Sequence, residues 1–175
     1  MERMKEISDL SFNQHQDDLE VLRLRSGVFL EHLNEISKNV TNQKLDLPPM
    51  VHTFSSHDTT IAFIIQALGL YEGPPSYGSG IVIEIRQPVV DKYVIRLIYS
   101  DVTNHNDFKE LNISKSEIFK NNCSEVTCEA QTFFNSLSNK SLLIKHDAIQ
   151  NECSIQRSAF YEKKFFPDRK DDRSR

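Results

Sequence analysis

Residues 50–70 constrain the fold of this chain more than any other stretch. The first half of the stretch is apolar and β-branched over the length of one strand. The second half carries apolar residues at the spacing of a helix that is buried on most sides: Ile61, Ile64, Ile65 and Leu68. We therefore expect a buried strand, a tight turn and a buried helix.

Two polar side chains, His57 and Asp58, fall at the corner between the predicted strand and helix. Asp58 occupies the position of a helix N-cap, and Gly69 that of a C-terminal stop. The start of a helix attracts anions through its free N–H groups and its dipole. An imidazole there can donate to an oxyanion, and a carboxyl can give a proton to a leaving group. The corner is therefore a candidate phosphate site. The alternative is that Asp58 is an ordinary helix cap and His57 an ordinary polar side chain, as is usual for a His-Asp pair before a helix.

The corner belongs to a longer motif, Ser56-His57-Asp58-Thr59-Thr60, followed by the apolar helix. The other parts of the pattern are Arg-Ser-Gly at 25–27, Ala-Leu-Gly at 67–69, Pro-Pro-Ser-Tyr at 74–77, two strand-like segments at 81–86 and 93–99, and the cysteines. Together they resemble the C-terminal part of the histidine acid phosphatases, and the lysosomal and prostatic-type enzymes of animals in particular. The resemblance covers about residues 4–153 and includes the second catalytic motif of that family.

The resemblance implies roles for the two corner residues. In that family the histidine of the pair, here His57, contacts the phosphate, and the aspartate, here Asp58, protonates the leaving alcohol. The family hydrolyses phosphate monoesters at acid pH through a phosphohistidine, and this chemistry requires no metal or other cofactor. The nucleophilic histidine lies in an Arg-His-Gly-x-Arg-x-Pro motif, which this sequence lacks. We therefore expect a chain that binds a phosphomonoester or phosphate but is inactive alone.

Two other functions remain open. The chain can be a non-catalytic, truncated isoform that acts as an anion-binding or interaction module, which the absent nucleophile motif also favours. It can also belong to a related branch of phosphohydrolases such as the phytases. A half-domain would expose a sheet edge, so we expect a partner, either a second copy of the chain or the missing N-terminal half.

Charge and hydropathy exclude two classes of partner. The formal net charge of −4 disfavours a nucleic-acid binder, and no apolar run is long enough to span a membrane. The polar N-terminus does not resemble a signal peptide, whereas the resembling family is lysosomal or secreted. Sequons for N-glycosylation agree weakly with such a parent protein; they lie at Asn39, Asn112, Asn122 and Asn139.

The three cysteines cannot all pair within one chain. Cys123 and Cys128 are close enough in sequence to form a local disulfide, although composition alone also fits three free thiols. In the resembling family a cysteine near the position of Cys153 pairs with the N-terminal half. We expect residues 1–153 to form the C-terminal portion of the phosphatase domain and residues 154–175 to form a charged, disordered tail.

The remaining patterns predict flanking helices and one hairpin. Helices are expected over residues 1–13, 19–39 and 124–135, the last with Ser124 as its cap. Alternation at 80–87 and 93–99 predicts an antiparallel hairpin in which Glu84 and Arg96 pair. The predicted fold is α/β: an incomplete histidine-phosphatase, or phosphoglycerate-mutase-like, domain with a parallel-type strand–helix unit and an antiparallel edge hairpin. The apolar stripe of the second helix is expected to contain Leu19, Leu22, Phe29, Leu33 and Ile36, and Gly27 is expected to allow close packing against the sheet.

Overall fold

The computed structural model describes residues 2–13, 18–42, 50–101 and 107–151. The chain divides into two units, Met1–Ile144 and Lys145–Arg175, of which the second is described only over residues 145–151. The predicted boundary after residue 153 lies outside the described residues. The elements of the first unit are α1 (Glu2–Asn13), α2 (Leu19–Asn42), α3 (Asp58–Ala67), β1 (Gly80–Val89), β2 (Lys92–Asp101), β3 (Asp107–Glu110), β4 (Thr127–Glu129) and α4 (Ala130–Asn139).

The first unit is a mixed α/β domain built on one antiparallel sheet. β2 lies in the middle with β1 on one side, and β3 and β4 pair with successive parts of its other side. The predicted hairpin is confirmed, because β1 and β2 pair in register with Glu84 opposite Arg96. Every strand pairing in the described part of the chain is antiparallel. The α/β class is therefore confirmed, whereas the parallel-type arrangement is wrong.

The buried strand expected before α3 is also wrong. Residues 50–57 form no described strand and are exposed throughout, with Val51 at 88% exposure. The Phe54 ring instead packs edge-on against Phe29 of α2, with centroids 5.1 Å apart. A strand needs a neighbour that accepts and donates its backbone hydrogen bonds. No described strand pairs with this segment, so its β-branched composition is not enough to make it a strand.

The core lies on the inner face of β2, beneath α3 and α4. Leu68 from the turn after α3 and Ile95 and Leu97 from β2 are completely buried. Phe119 and Phe133 stack face to face there, with ring centroids 4.7 Å apart. This layer of apolar side chains fixes α3, and hence its first residue, relative to the sheet.

The buried face of α2 differs from the predicted stripe. Leu22 is buried, but Leu19 is 48% exposed, and the small residues Ser26 and Gly27 face inward. A Cβ atom on Gly27 would lie 2.6 Å from the carbonyl oxygen of Leu142. Gly27 thus permits a close approach, as expected, but the partner is the segment around Leu142, which is not part of the sheet.

The predicted disulfide between Cys123 and Cys128 is confirmed, with the two Cα atoms 4.5 Å apart. The helix predicted over residues 124–135 is wrong in its first half, because Cys128 lies in β4 opposite Ile95 of β2. Ser124 caps no helix; its hydroxyl donates to the carbonyl oxygen of Thr127 at 2.7 Å. Pairing with β2 thus overrides a local sequence pattern that is compatible with a helix.

Candidate functional site

The start of α3 is formed by the backbone of His57. This residue is extended, with φ −94° and ψ 162°, and its carbonyl oxygen accepts the N–H groups of Thr60 and Ile61. His57 is therefore the N-cap position, and Asp58 is the first helical residue rather than the predicted cap. The Asp58 carboxylate accepts the N–H of Thr59 at 2.7 Å, and the His57 imidazole makes no side-chain cap.

The end of α3 is closed by a Schellman motif, which confirms Gly69 as the stop. Gly69 has φ +68°, and its N–H donates to the carbonyl oxygen of Gln66. The N–H of Leu70 reaches back to the carbonyl oxygen of Ile65. A Gly is required here because the left-handed conformation disfavours side chains. Both ends of α3 are thus fixed, so the backbone at its start keeps a defined direction.

His57 and Asp58 line one cleft of about 270 Å³ at the start of α3. The opposite wall is the loop that leads into β1, including Ser76, Tyr77 and Ser79. The structure therefore brings the two predicted site residues together in one concave place, and both side chains are exposed to solvent.

The loop wall was not predicted as part of the site. The Tyr77 side chain is 93% exposed at the cleft. The hydroxyl of Ser79 is buried, and no hydrogen-bond partner for it exists within the described part of the chain. Pro-Pro-Ser-Tyr at 74–77 was part of the resemblance, but no residue of this loop was assigned to the site, because the short distance between the loop and the α3 start depends on tertiary packing.

Two charged contacts and the packing of a half-buried tyrosine ring fix the start of the loop between α3 and β1. Glu72 forms ion pairs with Lys109 of β3, at 2.5 Å, and with Lys115, at 3.6 Å. The hydrogen bond from Lys109 lowers the pKa of Glu72 and outweighs the opposing effect of partial burial. Burial, with the Asp9 carboxylate nearby, raises the pKa of the preceding Tyr71. These residues anchor the start of the loop whose later part forms the cleft wall.

A larger depression, of about 530 Å³, lies on the outer face of the sheet beside Arg86 and Arg96. Its arginines are already paired: Glu84 lies 2.9 Å from Arg86 Nε and 3.3 Å from Arg96 Nη1, and Arg96 also contacts Glu110. Because carboxylates neutralise both guanidinium groups, this depression is a poor anion site.

The remaining predicted positions lie away from the cleft. The sequon residues Asn39, Asn122 and Asn139 are exposed, whereas Asn112 is half-buried and accepts a hydrogen bond from the Ser114 hydroxyl at 2.7 Å. Glycosylation at these sites stays a prediction. Cys153 lies outside the described residues. No helix in the described ranges is long and apolar enough to cross a membrane.

Comparison with known proteins gives one informative similarity. No family model matches the chain. A Caenorhabditis elegans protein named "Putative acid phosphatase 5" is 30% identical over 99 residues, which are 56% of this chain and 22% of that protein. The chain is therefore acid phosphatase-like in sequence, and it spans about a fifth of the length of this relative.

Proposed function

We propose that this chain is a histidine acid phosphatase-like protein that binds the phosphate group of a phosphomonoester at the start of α3. His57 contacts the phosphate, and Asp58 supplies the proton to the leaving alcohol. The observation that carries the proposal is the placement of both side chains, exposed and adjacent, in one cleft at a positive helix end. The similarity to a protein with an acid phosphatase name supports the same class of ligand.

Hydrolysis through a phosphohistidine also needs a nucleophilic imidazole in line with the leaving group. The described residues that line the cleft include neither a second histidine nor an arginine. We therefore propose that the chain binds phosphate without turnover when it is alone. A nucleophile would have to come from another segment or another chain.

The same observation favours a second candidate, a non-catalytic anion-binding or interaction module. Such a module would use the helix start to bind a phosphorylated ligand without transferring its phosphoryl group. The two candidates agree on binding and differ in chemistry, so a binding measurement must precede an activity measurement.

An NMR titration with inorganic phosphate tests binding. We expect shifts for the amides of residues 58–61 and 76–79, and we expect His57→Ala to reduce them. Asp58→Asn removes a negative charge beside the phosphate and should not weaken binding. The chain carries a matched control in its second His-Asp pair, His146 and Asp147, which is exposed in a turn. His146→Ala and Asp147→Asn should leave the titration unchanged. Absent shifts, or an equal loss in the control variants, would overturn the proposed site.

An assay with p-nitrophenyl phosphate at about pH 5, near the carboxyl range, tests chemistry. We expect no turnover above buffer. Turnover that Asp58→Asn abolishes and Asp147→Asn does not would contradict the binding-only proposal and establish the chain as an enzyme.

A further inference from the structure

The hydroxyl group of Ser79 is unusual among the polar groups of the cleft. Of the described residues that line the cleft, Ser79 alone has a buried side-chain polar atom without a hydrogen-bond partner in the described part of the chain. Burying a hydroxyl without a partner costs free energy, because the group gives up its hydrogen bonds to water. The Ser79 hydroxyl therefore has an unused proton to donate and unused lone pairs, at the edge of a concave site.

The backbone of Ser79 is held on both sides. Its N–H donates to the carbonyl oxygen of Ser76 at 3.1 Å, which closes a tight turn. Gly78 supplies the positive φ of this turn, at +73°. The next residue, Gly80, begins β1 and lies opposite Ser100 of β2. Because the turn and the sheet fix the backbone, the side chain is the part of Ser79 that can change position.

The side chain of Ser79 can change position without loss of a hydrogen bond. A serine side chain has three staggered rotamers about the Cα–Cβ bond. The hydroxyl oxygen of Ser79 is covered in the present rotamer, whereas the residue as a whole is only half-buried and lines the cleft. Since the covered oxygen has no described partner, rotation toward the cleft breaks no hydrogen bond within the described chain.

We propose that Ser79 is a further binding residue of the cleft: its hydroxyl turns into the cleft when phosphate binds and donates a hydrogen bond to a phosphate oxygen. This inference rests on the proposed function of the site. His57 lies at the start of α3, and Ser79 lies on the opposite wall. The phosphate group is thus held from both sides of the cleft, by an imidazole and by a hydroxyl.

The hydroxyl gives the site a contact that does not depend on pH in the acid range. The second pKa of a phosphomonoester is about 6, so the ligand changes from a dianion to a monoanion as the solution becomes acidic. A serine hydroxyl can both donate and accept a hydrogen bond, and it stays neutral throughout. Ser79 therefore serves both charge forms of the phosphate group.

A titration of the full chain with inorganic phosphate, followed by NMR in a phosphate-free buffer at pH 5 and at pH 7, tests the proposal. We expect Ser79→Ala to raise the dissociation constant at least about tenfold at both pH values, which corresponds to about 1.4 kcal/mol. The Hα–Hβ couplings of Ser79 in the wild type should change on saturation, because they report the rotation of its side chain.

The matched control is Ser138→Ala, which removes a hydroxyl from an exposed position near the end of α4. It should bind phosphate like the wild type. Urea denaturation separates a binding role of Ser79 from a structural one. Ser79→Ala should be as stable as the wild type, because its hydroxyl has no partner to lose in the described part of the chain.

The outcomes distinguish this inference from the proposed function. A wild type whose spectrum does not respond to phosphate overturns both. Phosphate binding that His57→Ala weakens and Ser79→Ala does not overturns only the role of Ser79. Unchanged couplings at saturation, or a Ser79→Ala variant that loses stability and keeps its affinity, would also overturn that role and assign the hydroxyl to the fold.

Discussion

The backbone of Gly27 lies against the segment that ends the first unit: the N–H of Ile144 donates to the carbonyl oxygen of Gly27 at 3.2 Å. A Cβ on Gly27 would lie 2.6 Å from the carbonyl oxygen of Leu142 and 2.9 Å from a side-chain carbon of Ile144. The absence of a side chain at this position therefore sets how closely α2 can approach residues 142–144.

Gly27→Ala should destabilise the fold by about 1–3 kcal/mol, the usual cost of overpacking, although alanine by itself favours a helix by about 1 kcal/mol. Urea denaturation measures the change. Gly80→Ala is the control, because a Cβ at Gly80 would meet no atom within 4 Å. Equal stability of the two variants would contradict a close approach at Gly27.

Phe133→Ala should lower the free energy of unfolding by about 3–5 kcal/mol, because it removes a ring that is buried and stacked on Phe119. Phe108→Ala is the matched control: its ring is 70% exposed, so the change should stay within about 0.5 kcal/mol. Chemical denaturation followed by circular dichroism gives both values, and a small effect at Phe133 would show that the core lies elsewhere.

The double variant Cys123→Ser, Cys128→Ser should lose about 2 kcal/mol, the loop-entropy contribution of a disulfide that closes so short a loop. Cys153→Ser should retain the wild-type stability. Thermal unfolding with and without a reductant measures the effect. If a reductant destabilises the double variant as much as the wild type, the stabilising disulfide is not the one between Cys123 and Cys128.

Protonation of Glu72 should lower the free energy of unfolding in acid. Because its pKa is lowered in the folded protein, its contribution is complete above the ordinary value of 4.5 and is lost as the pH falls through the lower folded value. Glu72→Gln should reduce the loss of stability between pH 7 and about pH 3. Glu117→Gln, at the exposed partner of Lys120, should keep the full loss; an equal reduction in both variants would contradict the role of Glu72.

Features encoded by neighbouring residues could be predicted from the sequence. The hairpin of β1 and β2 follows from its alternation, the C-terminal stop of α3 from Gly69, and the disulfide from the spacing of Cys123 and Cys128. Asp18 also caps α2 locally, since its carboxylate accepts the N–H groups of Glu20 and Val21, each at 3.1 Å. In each case the interacting groups lie in the same local segment.

Features that depend on distant residues could not be predicted. The apolar segment at 50–57 resembles a strand, but the described chain places no strand beside it. The run that contains Cys128 favours a helix locally, but pairing with Ile95 makes it a strand. The inward face of α2 is set by its approach to residues 142–144, which no periodicity within α2 reveals.

The candidate site also has one part that could be predicted from the sequence and one part that could not. His57 and Asp58 are adjacent in sequence, and their position at the start of α3 was predicted to within one residue. The opposite wall of the cleft, with Ser79, comes from a loop that is brought close by the core beneath α3. A sequence pattern thus indicated the chemistry of the site but not the surface that faces it.

The two-residue turn at Val90 and Asp91, which joins β1 to β2, has a kinetic consequence. A hairpin closed so locally forms in about 1–10 μs, whereas the contact of Gly27 with Ile144 joins residues that are far apart in the sequence and carries a greater loop-closure entropy. Folding should therefore begin at the hairpin and finish when the segment at 142–144 docks on α2. Substitutions at Gly27 should then accelerate unfolding and leave the refolding rate nearly unchanged.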